Sequence, residues 1–146
     1  MVEGAKLVQR AASIARRAHD GQVDKSGNPY LGHLERVAGR ASVSGEDAEV
    51  VAWLHDVVED TEVTLDMLRD EGVPDHIITA VDAMTKRPGE DREAYLQRVK
   101  ANPLALIVKA ADVADNTAPE RLQLLDESTR RRLEEKYAHT RTVLGL

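Results

Sequence analysis

Four separated stretches of the 146-residue chain place histidines and carboxylates where they could hold a divalent cation and move a proton: His33, His55-Asp56, Glu59-Asp60, and Asp112 with Asn116. His55-Asp56 follows the apolar run Val50, Val51, Ala52, Trp53 and Leu54, so at least one of the pair points inward, where an uncompensated charge is costly. Glu59 lies four residues after His55 and Asp60 four after Asp56, a spacing that on a helix returns each carboxylate to the face of the earlier residue. The acids crowded into VVEDTE repel one another unless a cation sits among them, and they oppose the dipole at a helix C-terminus. Asp112 and Asn116 are also four apart, on a helix whose apolar stripe of Leu104, Ile107 and Val108 draws Asp112 inward. Two imidazoles and two aspartates offer the mixed nitrogen and oxygen donors that suit a first-row divalent ion such as Mn²⁺, with positions left for water and a phosphate oxygen.

Taken alone, each group has a structural explanation. His55-Asp56 could be a buried pair that fixes helix packing, the acids a solvated helix end, Asp112 an ion pair with Lys109, and His33 a capping or surface histidine. Lys25, on a loop beside Gly27, is either solvated or a partner for phosphate. Trp53 reads as core, Arg130 to Arg132 as a solvated face, His76 and His139 as surface, and Asp115 as exposed. His19, at a helix end, either caps carbonyls or supports the loop that carries Lys25.

The elements that must position these groups are helical throughout. Leu7, Val8, Ala11, Ala12, Ile14, Ala15 and Ala18 follow a 3.6-residue period, which predicts a helix from Lys6 to His19. GQVDKSGNPY is rich in turn formers and predicts a loop, with a second helix from near Leu31 through Ala41. Ser44 is placed as the cap of a helix beginning near Gly45, and AEVVAWLHDVVED, apolar almost all round, as a buried central helix. Thr64, Pro74, Asn102 with Pro103, and Asp126 or Ser128 mark further helix starts, and Arg92 to Lys100 reads as another helix. Seven to nine helices in an all-α bundle follow, with the whole of 1–146 as a single compact domain and no β-period.

Bulk properties narrow the class. The length suits one domain, and 42% hydrophobic with 32% charged residues is a globular composition. The aromatic content is 3% with no Phe, so the core must be aliphatic. A net charge of −6 argues against an extended nucleic-acid surface, because phosphate contacts need a positive field. No apolar run reaches a bilayer span, the N-terminus lacks a signal-peptide stretch, and Cys is absent. The expected location is therefore the cytoplasm, with no membrane partner; an oligomer is left open.

AHDGQVDKSGNPYLGHLERVA at 18–38, AWLHDVVEDTEVT at 52–64 and VKAADVADN at 108–116, in this order and at these intervals, resemble the HD-domain metal-dependent phosphohydrolases. Within that group they resemble more closely the hydrolase domain of RelA/SpoT-type alarmone enzymes and their small stand-alone relatives. It implies that His33, His55, Asp56 and Asp112 hold the metal, most naturally Mn²⁺, and that Glu59 and Asp60 handle the nucleophilic water. Lys25, Ser26 and Asn116 match substrate-side positions. The implied activity is hydrolysis of a nucleotide phosphate ester, such as the 3′-pyrophosphate of (p)ppGpp, in the stringent response. The alternatives are a phosphatase for another nucleotide, NADPH for example, and a helical module that senses a nucleotide or metal without turnover.

The chain departs from that pattern around the substrate. The alarmone hydrolases usually carry a basic residue where this chain has Asp24, a proline where it has Leu34, and LHNMRT-like residues where it has ADNTAP, so that Ala118 removes an expected Arg. With no synthetase segment following, net production of alarmone is not expected.

Overall fold

Apolar residues at helical spacing fold here as helices gathered around one of their number. The computed structural model describes residues 2–146, with side chains from residue 5 onward. In chain order the helices are α1 (Val2–Ala18), α2 (Tyr30–Ala41), α3 (Glu46–Leu54), α4 (Val57–Asp60), α5 (Leu65–Asp70), α6 (Asp75–Ala83), α7 (Arg92–Ala101), α8 (Pro103–Asn116), α9 (Pro119–Leu122) and α10 (Glu127–Leu144). Eight run to six residues or more, within the expected seven to nine, while α4 and α9 are single turns. The pairing of β type among the described residues is one isolated bridge, Val23 to Pro29, inside the loop before α2. The fold is all-α, as the periodicity requires. Among the described residues no helix is long and apolar enough to cross a membrane.

α3 is the axis. Val50 to Leu54 are all buried, and α1, α2, α6 and α8 pack around it, which is how a helix that is apolar all round beyond its acidic first turn is satisfied. The surrounding core is aliphatic, with Leu34, Leu54, Leu68, Ile77 and Leu96 among its largest fully buried members. A smaller cluster of Val113, Leu133 and Tyr137 joins α8 to α10.

Several helix starts follow their expected chemistry. Thr64 accepts from Met67 N, Asn102 from Ala105 N ahead of Pro103, and Asp126 from Thr129 N. Ser44 does not cap α3. Gly45 occupies that position at φ 112° with no side-chain cap bond, and Ser44 ends a short 3₁₀ turn instead. That φ lies in the region only glycine enters freely.

AEVVAWLHDVVED is two helices rather than one, broken at His55-Asp56. No Gly or Pro stands there. His55 Nδ1 lies 2.6 Å from the Ala52 carbonyl, the acceptor that the Asp56 N–H would need to continue the helix. α3 therefore stops one residue before His55, and the turn lets His55 and Asp56 face one place although neighbours on a continuous helix diverge by about 100°.

Candidate metal centre and adjoining cleft

Three elements converge at the end of α3. His33 from α2, His55 after α3, and Asp112 from α8 are all buried, with ligand atoms within 4.8 Å of one another. His33 Nε2 is 2.9 Å from Asp112 Oδ1, and His55 Nε2 is 3.4 Å from the same oxygen. The second oxygen of Asp112 takes the Lys109 ammonium at 3.1 Å, so the ion pair within α8 exists beside the cluster rather than in place of it.

The histidines are oriented from behind. Because the Ala52 carbonyl can only accept, His55 Nδ1 carries a hydrogen and Nε2 is the nitrogen free to offer a lone pair. That Nε2 is buried without a hydrogen-bond partner, although Asp56 Oδ2 lies at 3.1 Å, off hydrogen-bonding geometry. His33 Nδ1 is held at 2.7 Å by Asp115 Oδ2. An orphaned imidazole nitrogen facing carboxylates, with each ring steered by an acceptor on its far nitrogen, fits a divalent cation.

Asp56 lies beside this trio and outside it, with Tyr30 Oη donating to Asp56 Oδ2. Burial raises the Tyr30 hydroxyl pKa, and the Asp56 charge raises it further, so it is a donor at neutral pH. Burial alone would push His33 down, but its hydrogen bonds to Asp112 and Asp115 hold it above the usual histidine range. Asp112 behaves in the opposite way: burial would raise it, and the Lys109 charge with the two imidazoles holds it well below.

The two acids of α4 diverge. Glu59 accepts from the Lys86 backbone N–H at 2.6 Å, tying α4 to the loop after α6. Asp60 opens onto a cleft of about 420 Å³, where partial burial, then the charges of Asp56 and Glu59, push its carboxyl up to about 6. Asp24, Lys25, Ser26, Asn116, Arg121 and Lys136 supply much of the rest of its polar wall, and Leu125, Leu133 and Tyr137 much of its apolar wall. Asn116 also reaches Asp112 Oδ1 at 3.2 Å. Lys25, Ser26 and Asn116 thus share one surface beside the trio.

Some of this was not foreseen. Asp115 is buried rather than exposed, because His33, Arg36 and Arg121 enclose it, and against the cost of burial His33 and Arg36 hold its carboxyl down to about 2. Its spacing of three from Asp112 is the signal that it shares that face. His19 is fully buried, bonds Gln22 Oε1 at 2.9 Å, and packs against the Tyr30 ring at 5.3 Å; Gln22 Nε2 reaches the Asp60 carbonyl at 3.3 Å. It supports the loop rather than capping carbonyls. Asp24 is bound to Ser26, Asn28 and Arg121 and is not a bare charge in the cleft. Arg121 and Lys136 had no sequence signal beyond their charge. Trp53 is core, and His76 and His139 are exposed.

No family model matches the chain. Curated relatives do: a probable GTP pyrophosphokinase of Mycobacterium leprae is 35% identical over 121 residues, which is 75% of this chain and 15% of that protein. Guanosine-3′,5′-bis(diphosphate) 3′-pyrophosphohydrolases of Aquifex aeolicus and Haemophilus influenzae are 31% and 35% identical, covering 77% and 70% of this chain and 17% of each relative. The chain spans about a sixth of these relatives' length. A solved structure of a metazoan SpoT ortholog that hydrolyses ppGpp superposes with a TM-score of 0.79 at 23% identity, covering 94% of this chain and 85% of that one. In sequence over most of its length, and in fold over nearly all of it, the chain is a relative of the RelA/SpoT-type alarmone hydrolases.

Proposed function

We propose that residues 1–146 form one HD-type phosphohydrolase domain that removes the 3′-pyrophosphate from a guanosine alarmone such as ppGpp. The observation that carries this is the orphaned His55 Nε2, aimed at Asp56 and Asp112 beside a cleft walled by Lys25, Arg121 and Lys136. The names of the relatives supply the substrate. The cytoplasm, where nucleotides are made and used, is the matching location.

His33, His55 and Asp112 would hold the ion with Asp56 as fourth ligand, and the donor set suits Mn²⁺. A divalent ion there supplies Lewis acidity, making water a better nucleophile and polarising a phosphoryl oxygen. Asp60 is poised to accept a proton from the attacking water, with Glu59 beside it holding the α4 turn to the Lys86 backbone. Lys25 and Lys136 attract the phosphoryl groups, and Ser26 and Asn116 orient the nucleotide. Water adds to phosphorus, the bond from phosphorus to O3′ breaks, and pyrophosphate leaves a free 3′-hydroxyl.

A phosphatase for another nucleotide, NADPH included, is the second reading, favoured by Asp24 and Ala118 standing where the resemblance leads one to expect basic residues. A nucleotide panel with Mn²⁺, assayed for pyrophosphate and for phosphate, separates the two. Pyrophosphate from ppGpp, lost in Asp56→Ala with helicity retained, is expected; phosphate from other nucleotides alone supports the second. No turnover of any member defeats both.

A further inference from the structure

Arg121 reaches three acceptors, two on α8 and one on the loop before α2, and lies against a ring of α2. Its Nη1 donates to Asp115 Oδ2 and Asn116 Oδ1, both at 2.9 Å, and lies 3.2 Å from His33 Nδ1. Its Nη2 donates to Asp24 Oδ2 at 3.2 Å. Asp24 is in turn the hub of the loop before α2, where its Oδ1 accepts from the Ser26 N–H at 2.9 Å, the Ser26 hydroxyl at 2.7 Å and the Asn28 N–H at 3.0 Å. Asp24 and Arg121 both line the cleft and also a second cavity, of about 410 Å³, on the side of Arg36 and Arg40. The pair is therefore a partition within the site and not a surface ion pair.

We propose that Arg121 is a positioning residue that couples the loop carrying Lys25 and Ser26 to the orientation of His33, so that the substrate side and the metal side of the site are set together. The proposal rests on the functional reading above. A guanidinium is a planar fork whose donors are fixed relative to one another. Held by Asp24 at one nitrogen and by Asp115 at the other, it transmits displacement of the loop to the carboxylate that steers the His33 ring. A lysine, with one mobile ammonium, could neutralise the same acids without fixing their spacing.

Asp24→Asn tests this, because it keeps an oxygen for Ser26 and Asn28 and removes the charge that faces Arg121. None of the hydrogen bonds of Asp24 goes to His33, His55 or Asp112, and a through-space effect of the lost charge would persist when Arg121 is also replaced, which separates it from coupling through Arg121. The readouts are the ring ¹⁵N resonances of His33 in metal-free protein and the calorimetric Kd for Mn²⁺. In Asp24→Asn the resonances shift and the Kd rises about threefold to tenfold, less than direct loss of a ligand-orienting partner would produce. In an Arg121→Met background the same substitution does neither, the non-additivity expected of a pair acting through one connection. Should Arg121→Met not fold, Arg121→Lys keeps the charge, loses the fork and shows the same loss of coupling. Unmoved His33 resonances in Asp24→Asn, or equal effects of that substitution in both backgrounds, overturn the proposal. Wild-type protein that binds no Mn²⁺ overturns the metal centre instead, and the His33 resonances then decide the coupling alone.

Discussion

His33 Nδ1 and Asp115 Oδ2 stand 2.7 Å apart, and Asp115 is 1% exposed. The carboxylate lies behind the imidazole, on the side away from Asp112, so its effect on a bound ion passes through the ring.

Asp115→Asn should therefore weaken Mn²⁺ binding about 10–100-fold, the usual consequence of losing a partner that fixes ring orientation and raises ligand basicity. Calorimetry on the purified variant measures it. A Kd equal to that of wild type would mean the ion does not use His33.

Mn²⁺ should raise the melting temperature, since a ligand that binds only the folded state contributes about 2.7 kcal/mol at a hundred times its Kd. His55→Gln removes the orphaned nitrogen and should abolish the increment. Calorimetric scans with and without the ion check both, and an increment retained in His55→Gln would place the ion elsewhere.

Asp60 faces the cleft, while His33, His55 and Asp112 form the buried cluster. Asp60→Asn should lower kcat by about 10²–10⁴, the range for a lost general acid or base, while the Mn²⁺ Kd stays near the wild-type value. Steady-state kinetics beside calorimetry separates the two roles. Loss of Mn²⁺ binding in Asp60→Asn would make it a ligand.

A pH signature is expected away from the centre. Arg98 grips both oxygens of Glu90 at 2.7 and 2.8 Å and holds that carboxyl down to about 2, from an ordinary value of 4.5. A carboxyl lowered by folding stabilises fully above its unfolded value, and the benefit fades as pH falls through the folded one. The melting temperatures of wild type and Glu90→Gln should differ most above pH 4.5 and converge toward about 2. A gap that widens on acidification contradicts the sign.

How much was legible in the chain depends on where each signal lies. His55 was legible because a run of five apolar residues ends on it, and burial of a polar group after such a run demands a partner. The break at His55-Asp56 was not, since it depends on a side chain taking the Ala52 carbonyl rather than on Gly or Pro. Asp115 was misplaced although its distance from Asp112 puts both on one face. Arg121 follows Pro119 in a single turn, and that its fork meets Asp24 and lies against His33 is decided by the loop before α2 and by α2 itself, far away in sequence. Lys25, Ser26 and Asn116 were identified through family resemblance, and their shared wall is a tertiary fact.

Each imidazole at the end of α3 also serves as an interior building block: His55 secures a helix terminus through Ala52, and His33 ties α2 to α8 through two aspartates. A descendant that had lost turnover would still keep both rings, because drift there would loosen the interior. Exposed Lys25 and Lys136 stand under no such restraint. Among relatives of this chain, the two lysines should therefore tell working enzymes from silent ones better than the histidines do.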